Sequence, residues 1–217
     1  MQLIFEQIRV GGDRNFAYLL GDRDAAQAVV IDPSYSPDVV LERARDQHLR
    51  VTHVINTHSH PDHVNGNAAA TAATGAPLVA HVDAPTDSAV GVRDGDEIRV
   101  GTLRLRFIHV PGHCADHVVI HETTHDLLIT GDLIFVGKVG GTQSDADARV
   151  EWDSLQRVLQ QVPDVATVWP GHDYGARPSS TLSLERASNP FLRCATVDEF
   201  LAIKREWPDL KKRFGLR

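Results

Sequence analysis

The 217-residue chain carries 22 Lys+Arg against 29 Asp+Glu, a mildly acidic balance that argues against a nucleic-acid-binding surface; 42% hydrophobic and 24% charged content is ordinary for a globular protein. Two cysteines, Cys114 and Cys194, are too few for a disulfide framework, and no apolar run approaches the roughly 20 residues needed to span a bilayer. MQLIFEQIRV lacks a basic region followed by a long apolar core, so the expectation is a cytoplasmic protein large enough to fold without a structural metal.

Taken in order, Leu3 to Val10, Asn15 to Gly21 and Ala28 to Ile31 are apolar or alternating runs between turn signals, which predicts three antiparallel strands in a meander. Ser36 as N-cap and Pro37 at the first helical position predict a helix ending near His48. A buried strand follows with Val51, Val54 and Ile55, then an alanine-rich helix from Val64 to Thr74 and a short strand from Pro77 to His81. Leu103, Leu105 and Phe107 alternate with Arg104 and Arg106, and the runs Val118–His121 and Leu127–Thr130 complete a second meander. A helix from Asp153 leads to a strand from Ala166 to Trp169. The tail after about residue 179 reads as helical with a break at Asn189-Pro190 and a Lys/Arg-rich end that forms a solvated surface. Two halves of similar element order predict a helix/sheet/sheet/helix sandwich.

Chemistry concentrates at the ends of these strands. The run VTHVINTHSHPDHVNG closes on His58, His60, Asp62 and His63, where an α/β sheet delivers its functional groups. In His58-x-His60 two rings lie two residues apart in extended backbone, so both can grip one ion. Asp62-His63 follows a proline turn and is aimed differently, which suggests a second ion. His113, Asp132 and His172 close three later strands in PGH, GD and PGHDYG, so only the folded chain could gather them. A lone histidine is more often a satisfied core or surface residue, but a contiguous H-x-H-x-D-H joined by three further donors points to a metal. A closed structural zinc site is disfavoured because no C-x-x-C occurs. His117, four residues after His113, could orient a ligand or substrate. Cys114 reads as an inert thiol, since no partner that would lower its pKa is evident.

At THSHPDH, PGH, TGD and PGHDYG, over residues 52 to 175, the chain resembles the metallo-β-lactamase superfamily, and within it the glyoxalase II-like and persulfide dioxygenase-like branches. The resemblance implies an αββα fold, two mixed sheets between helical layers, as a single domain over 1–217. It implies a first metal site of His58, His60 and His113, a second of Asp62, His63 and His172, and Asp132 bridging two divalent ions, zinc first, with iron or manganese as alternatives. A bridging carboxylate makes physical sense, because dications roughly 3.5–4 Å apart repel unless anionic groups lie between them. By the same resemblance a metal-bound hydroxide, oriented by Asp62, attacks a thioester of the hydroxyacylglutathione type. The partner is then a small molecule, and the exposed surface is compatible with a homo-oligomer.

The sequence departs from that pattern at the substrate end. Where glyoxalase II-like enzymes place a cation after the TGD motif, and persulfide dioxygenases an arginine, this chain has Gly141; Lys138 could substitute, and Tyr174 matches a tyrosine of the glyoxalase motif. The chain ends at 217, so the long helical segment that completes the glutathione site in many glyoxalase II enzymes is expected to be missing. The tail from Gly171 resembles the persulfide dioxygenases, which would use one iron on His58, His113 and Asp132. The sequence therefore carries three readings: a binuclear thioester hydrolase first, an iron persulfide dioxygenase second, and a metal-binding module without turnover third.

Overall fold

The computed structural model describes residues 2–86 and 88–214. Its first half runs β1 (Leu3–Gly11), β2 (Asn15–Asp22), β3 (Gln27–Ile31), α1 (Pro37–Asp46), β4 (Arg50–Ile55), α2 (Pro61–Val64), α3 (Asn67–Thr74), β5 (Leu78–His81) and β6 (Val90–Val92). The second half runs β7 (Glu97–Val100), β8 (Leu103–His109), β9 (Val118–Glu122), β10 (Leu127–Gly131), β11 (Ile134–Phe135), β12 (Lys138–Val139), α4 (Asp145–Gln161), β13 (Thr167–Pro170), β14 (Ser180–Thr181), α5 (Leu182–Ser188) and α6 (Val197–Phe214). One sheet has the order β1-β2-β3-β4-β5-β6 and the other β14-β13-β10-β9-β8-β7. Both are mixed: β1 to β3 pair antiparallel and β3 to β6 parallel, while β10 is antiparallel to β9 and parallel to β13.

Period-two alternation sorts the side chains into layers. From β2, Phe16, Tyr18 and Leu20 meet Leu103, Leu105 and Phe107 of β8 between the sheets. The alternate residues Ala17 and Leu19 turn outward and are covered by Val40, Leu41 and Ala44 of α1 and by Ala70 of α3. On the far side, Ile108, Val119 and Leu128 lie under Leu155, Val158 and Leu159 of α4 and Phe200 and Leu201 of α6. Each fully buried side chain of this size contributes on the order of 1.5–3 kcal/mol. The result is the αββα sandwich expected from the sequence.

Several local expectations change. The alanine-rich helix starts at Asn67 instead of Val64 and is preceded by a separate short helix over Pro61–Val64; at Gly66 between them a Cβ would sit 1.7 Å from the Pro33 carbonyl oxygen. Ser36 occupies the N-cap position of α1 without a side-chain hydrogen bond. Helix α4 begins at Asp145, well before Asp153, since the Ser144 side chain accepts from the Asp147 amide and Asp145 and Asp147 occupy the first turn. The short strands β6, β7, β11, β12 and β14 have too few residues to show a period. Helix α6 packs along α4, with Lys204 largely buried against Glu151, while at its Lys/Arg-rich end Lys212 and Arg213 are exposed as expected and Lys211 is half-buried; Arg217 lies outside the described residues. Among the described residues no helix is long and apolar enough to cross a membrane.

The two sheets meet at one end. The Phe16 amide donates to Gly171 O at 2.8 Å, Asn15 bridges to His172, and the Tyr18 hydroxyl donates to Pro170 O at 2.6 Å. That seam draws the carboxyl ends of β3, β4, β10 and β13 together.

Candidate metal centre

All seven donors expected from the sequence converge at this seam. His60 Nδ1 lies 3.1 Å from His58 Nε2 and 3.0 Å from His113 Nε2, so these three form one set. His172 Nε2 lies 3.3 Å from His63 Nε2 and 3.4 Å from Asp62 Oδ2, which makes the second. Asp132 lies between: its Oδ1 is 3.4 Å from His63 Nε2, and its Oδ2 is 3.6 Å from His113 Nε2 and 3.4 Å from His172 Nε2.

Ligands about 2.0–2.2 Å from a tetrahedral ion stand roughly 3.3–3.5 Å apart. The second set matches that spacing at 3.3 and 3.4 Å, and the first is a few tenths tighter at 3.0 and 3.1 Å. Imidazole lone pairs otherwise face one another, and the buried Asp132 Oδ1 has no hydrogen-bond partner in the protein. The outer ring nitrogens are anchored: His63 Nδ1 to Asp32 Oδ2 at 2.9 Å, His113 Nδ1 to Gly141 O at 2.7 Å, His172 Nδ1 to Asp13 O at 2.9 Å. A carbonyl only accepts, so His113 and His172 carry their protons on Nδ1 and aim Nε2 lone pairs inward. The residues present therefore fit a divalent metal centre.

Electrostatics divides the cluster. Burial, reinforced by His63 and His117, pushes the His58 pKa well below its ordinary value, and burial likewise lowers His113. At His63 burial opposes the charged form, but Asp132 and Asp32 outweigh it and raise the pKa well above normal; His172 is raised the same way by Asp132. Burial alone would favour neutral Asp132, yet His63 and His172 hold its carboxyl well below the usual carboxylate range.

Two residues at this centre had no motif to mark them. Asp32 follows β3 with φ +48° and accepts from the Thr57 amide at 2.8 Å and the Thr57 hydroxyl at 2.6 Å while holding His63. Its one sequence signal is that it closes an apolar strand, as Asp132 does. Asn15 donates to Asp62 O at 3.0 Å and to Asp62 Oδ2 at 3.1 Å, fixing that carboxylate. His117 is fully buried beside the cluster, and its Nε2 accepts the Asp132 amide hydrogen at 3.1 Å. Cys114 donates to Asp116 Oδ1, and burial with that contact pushes its thiol up to about 11, as befits an inert cysteine.

Beside the cluster opens a cavity of about 410 Å³ whose wall includes His113, Asp132, Lys138, Tyr174, Trp207 and Lys211. Lys138 and Tyr174 both line this cavity, with Lys138 Nζ 3.9 Å from the Tyr174 ring centroid. The Tyr174 ring stacks on His172 at 4.6 Å, and its hydroxyl donates to Asp13 Oδ2 at 2.6 Å. Burial, with Lys211 and Arg14 nearby, lowers the Lys138 pKa to about 8. At Gly141 a Cβ would meet nothing within 4 Å, so the missing cation there is not a steric requirement. A larger hollow of about 540 Å³ beside α3 is lined by none of the seven donors.

Two layered sheets that gather a His/Asp donor cluster at their shared end define a metal-binding αββα domain. Residues 10–172 match the family model of the metallo-beta-lactamase superfamily, and the chain belongs to that superfamily. Its sequence is 32% identical to a hydroxyacylglutathione hydrolase from a Polaromonas species, covering 96% of this chain and 92% of the relative. It is 31% identical to the human mitochondrial persulfide dioxygenase ETHE1, covering 87% and 75%. A crystal structure of ETHE1 from Myxococcus xanthus superposes with a TM-score of 0.87 at 35% identity, covering 94% of this chain and 91% of that one.

Proposed function

We propose that this chain is a binuclear metal-dependent hydrolase of a small thioester whose thiol half carries carboxylates, as hydroxyacylglutathione does. The observation that carries this reading is the cationic cavity directly against a complete two-set donor cluster. His58, His60 and His113 would hold one ion, Asp62, His63 and His172 the other, and Asp132 would touch both. Ions held there would lower the pKa of water and polarise the thioester carbonyl. Asp62, fixed by Asn15, orients the attacking water. Lys138 and Lys211 attract the carboxylates of the thiol half, and the Tyr174 and Trp207 rings offer its apolar stem a surface. Water adds to the carbonyl carbon, the C–S bond breaks, and the products are a carboxylic acid and a free thiol. In this reading the whole chain acts as one domain, with the segment after about residue 179 supplying part of the substrate wall.

The similarity to ETHE1 over nearly the full length of both chains supports a second reading, oxidation of a persulfide by dioxygen at a site that would hold a single iron. Metal content of protein purified without chelators, with turnover of S-lactoylglutathione and oxygen uptake on glutathione persulfide measured side by side, separates the two. Two metal equivalents with thioester turnover are expected. One iron with oxygen uptake and no thioester cleavage would overturn the hydrolase reading.

A further inference from the structure

Lys204 of α6 lies on the cavity wall, but its geometry is that of a clasp. An ammonium has three N–H donors. Here one reaches Gly140 O at 2.9 Å, one Thr142 Oγ1 at 3.2 Å, and the third the Glu151 carboxylate of α4 in a short contact. With all three committed to the protein, none is left to bind a substrate anion. The loop it grips carries Gly141, the acceptor of the His113 Nδ1 proton.

The same pair also supports His113 from behind. Gly112, at φ +135°, lies flat against α4, where an added Cβ would sit 2.4 Å from Glu151 Cβ and 2.5 Å from its Cα. One residue earlier, Ser154 Oγ donates to Pro111 O at 2.7 Å. Helix α4 thus holds the backbone that enters His113, and Lys204, anchored on Glu151, holds the loop that fixes its ring. Both charges are nearly out of water, with side-chain exposures of 10% for Lys204 and 0% for Glu151. Buried ion pairs of this kind rarely add net stability, so a geometric role accounts for one here better than an energetic one.

We propose that Lys204 is the positioning residue of His113: through the Gly140–Thr142 loop it fixes the direction of the His113 imidazole, so metal affinity at the His58, His60 and His113 set depends on helix α6. The inference rests on reading those three histidines as one metal site, and not on the identity of the substrate.

The test is titration of the metal-free full chain with Co²⁺, read by its visible absorption and by competition with a chelator. Lys204→Met alone leaves the Glu151 carboxyl buried without its partner and can unfold the chain, so the variant to read is Glu151→Gln/Lys204→Met. Expected is a folded protein that binds Co²⁺ about 10- to 100-fold more weakly with an altered spectrum, the range seen when a ligand's orienting partner is lost. Arg205→Ala, which breaks the neighbouring α6–α4 ion pair to Asp145 on the surface, is expected to leave affinity and spectrum unchanged. Wild-type affinity and spectrum in the double variant would overturn the proposal, as would an equal loss in Arg205→Ala, which would assign the effect to helix docking. Unchanged Co²⁺ binding in His113→Ala would instead remove the metal-site reading beneath it, and the inference with it.

Discussion

The two flanks of the donor cluster are built differently. His58, His60 and His113 are imidazoles alone, with His113 steadied by a backbone carbonyl and His58 Nδ1 3.1 Å from the Thr57 hydroxyl. The other flank combines Asp62 with His63 and His172 and is backed by a buried carboxylate, Asp32. Burial dominates the first flank and lowers the pKa of His58 and His113, whereas on the second the neighbouring carboxylates outweigh burial and raise His63 and His172. One flank is therefore a neutral socket and the other an anionic one. Asp132 reaches both flanks, its Oδ1 approaching His63 and its Oδ2 approaching His113 and His172.

The sharpest way to break the contrast is Asp132→Ala. Metal analysis should show both equivalents weakened, and turnover should fall by about 10³-fold or more, because the variant removes the one carboxylate common to both flanks. Loss from one flank only would show that Asp132 is not shared. Asp32→Ala should act on the anionic flank alone, weakening one equivalent by about 10- to 100-fold while the other stays near wild type. It should also lower thermal stability, since the Thr57 amide and hydroxyl lose a buried acceptor at a cost of about 1–3 kcal/mol.

The substrate wall offers a smaller effect. Lys138→Ala should raise KM for a carboxylate-bearing thioester about tenfold, with kcat little changed, and should not alter metal content. A lysine is cationic below its pKa, and that of Lys138 is lowered to about 8, so wild-type KM should climb as pH rises through about 8. Lys138→Arg, which stays charged, should flatten that rise; a KM independent of pH in the wild type would count against Lys138 as the anion contact. Smallest of all, Ser144→Ala removes the side-chain N-cap of α4 and should cost about 1 kcal/mol, or roughly 2–4 °C in Tm, read by thermal melting.

The legible parts of this molecule were those encoded in neighbouring residues. His58, His60, Asp62 and His63 stand in one string, and His113, Asp132 and His172 each follow an apolar run, so local pattern sufficed to name them. Alternation in Leu103, Leu105 and Phe107 against Arg104 and Arg106 likewise marked β8 as a strand, and the three apolar residues are the ones that meet the other sheet. Asp32 and Asn15 escaped because neither sits in a motif; each acquires its role only when β2 and β3 are laid beside β4 and β13.

By itself, then, the sequence determined the layered αββα architecture and picked out seven residues that the fold brings together, since period and adjacency are properties of the chain. Only the tertiary structure decided how those donors divide into a neutral and an anionic flank, because that depends on which distant carbonyl or carboxylate backs each ring. It also decided that the basic tail returns as helix α6 to wall the cavity with Trp207 and Lys211 and to spend Lys204 on the loop behind His113. A run of lysines on an amphipathic helix looks the same whether it faces water or a site, and packing of Phe200 and Leu201 onto α4 is what turns it inward.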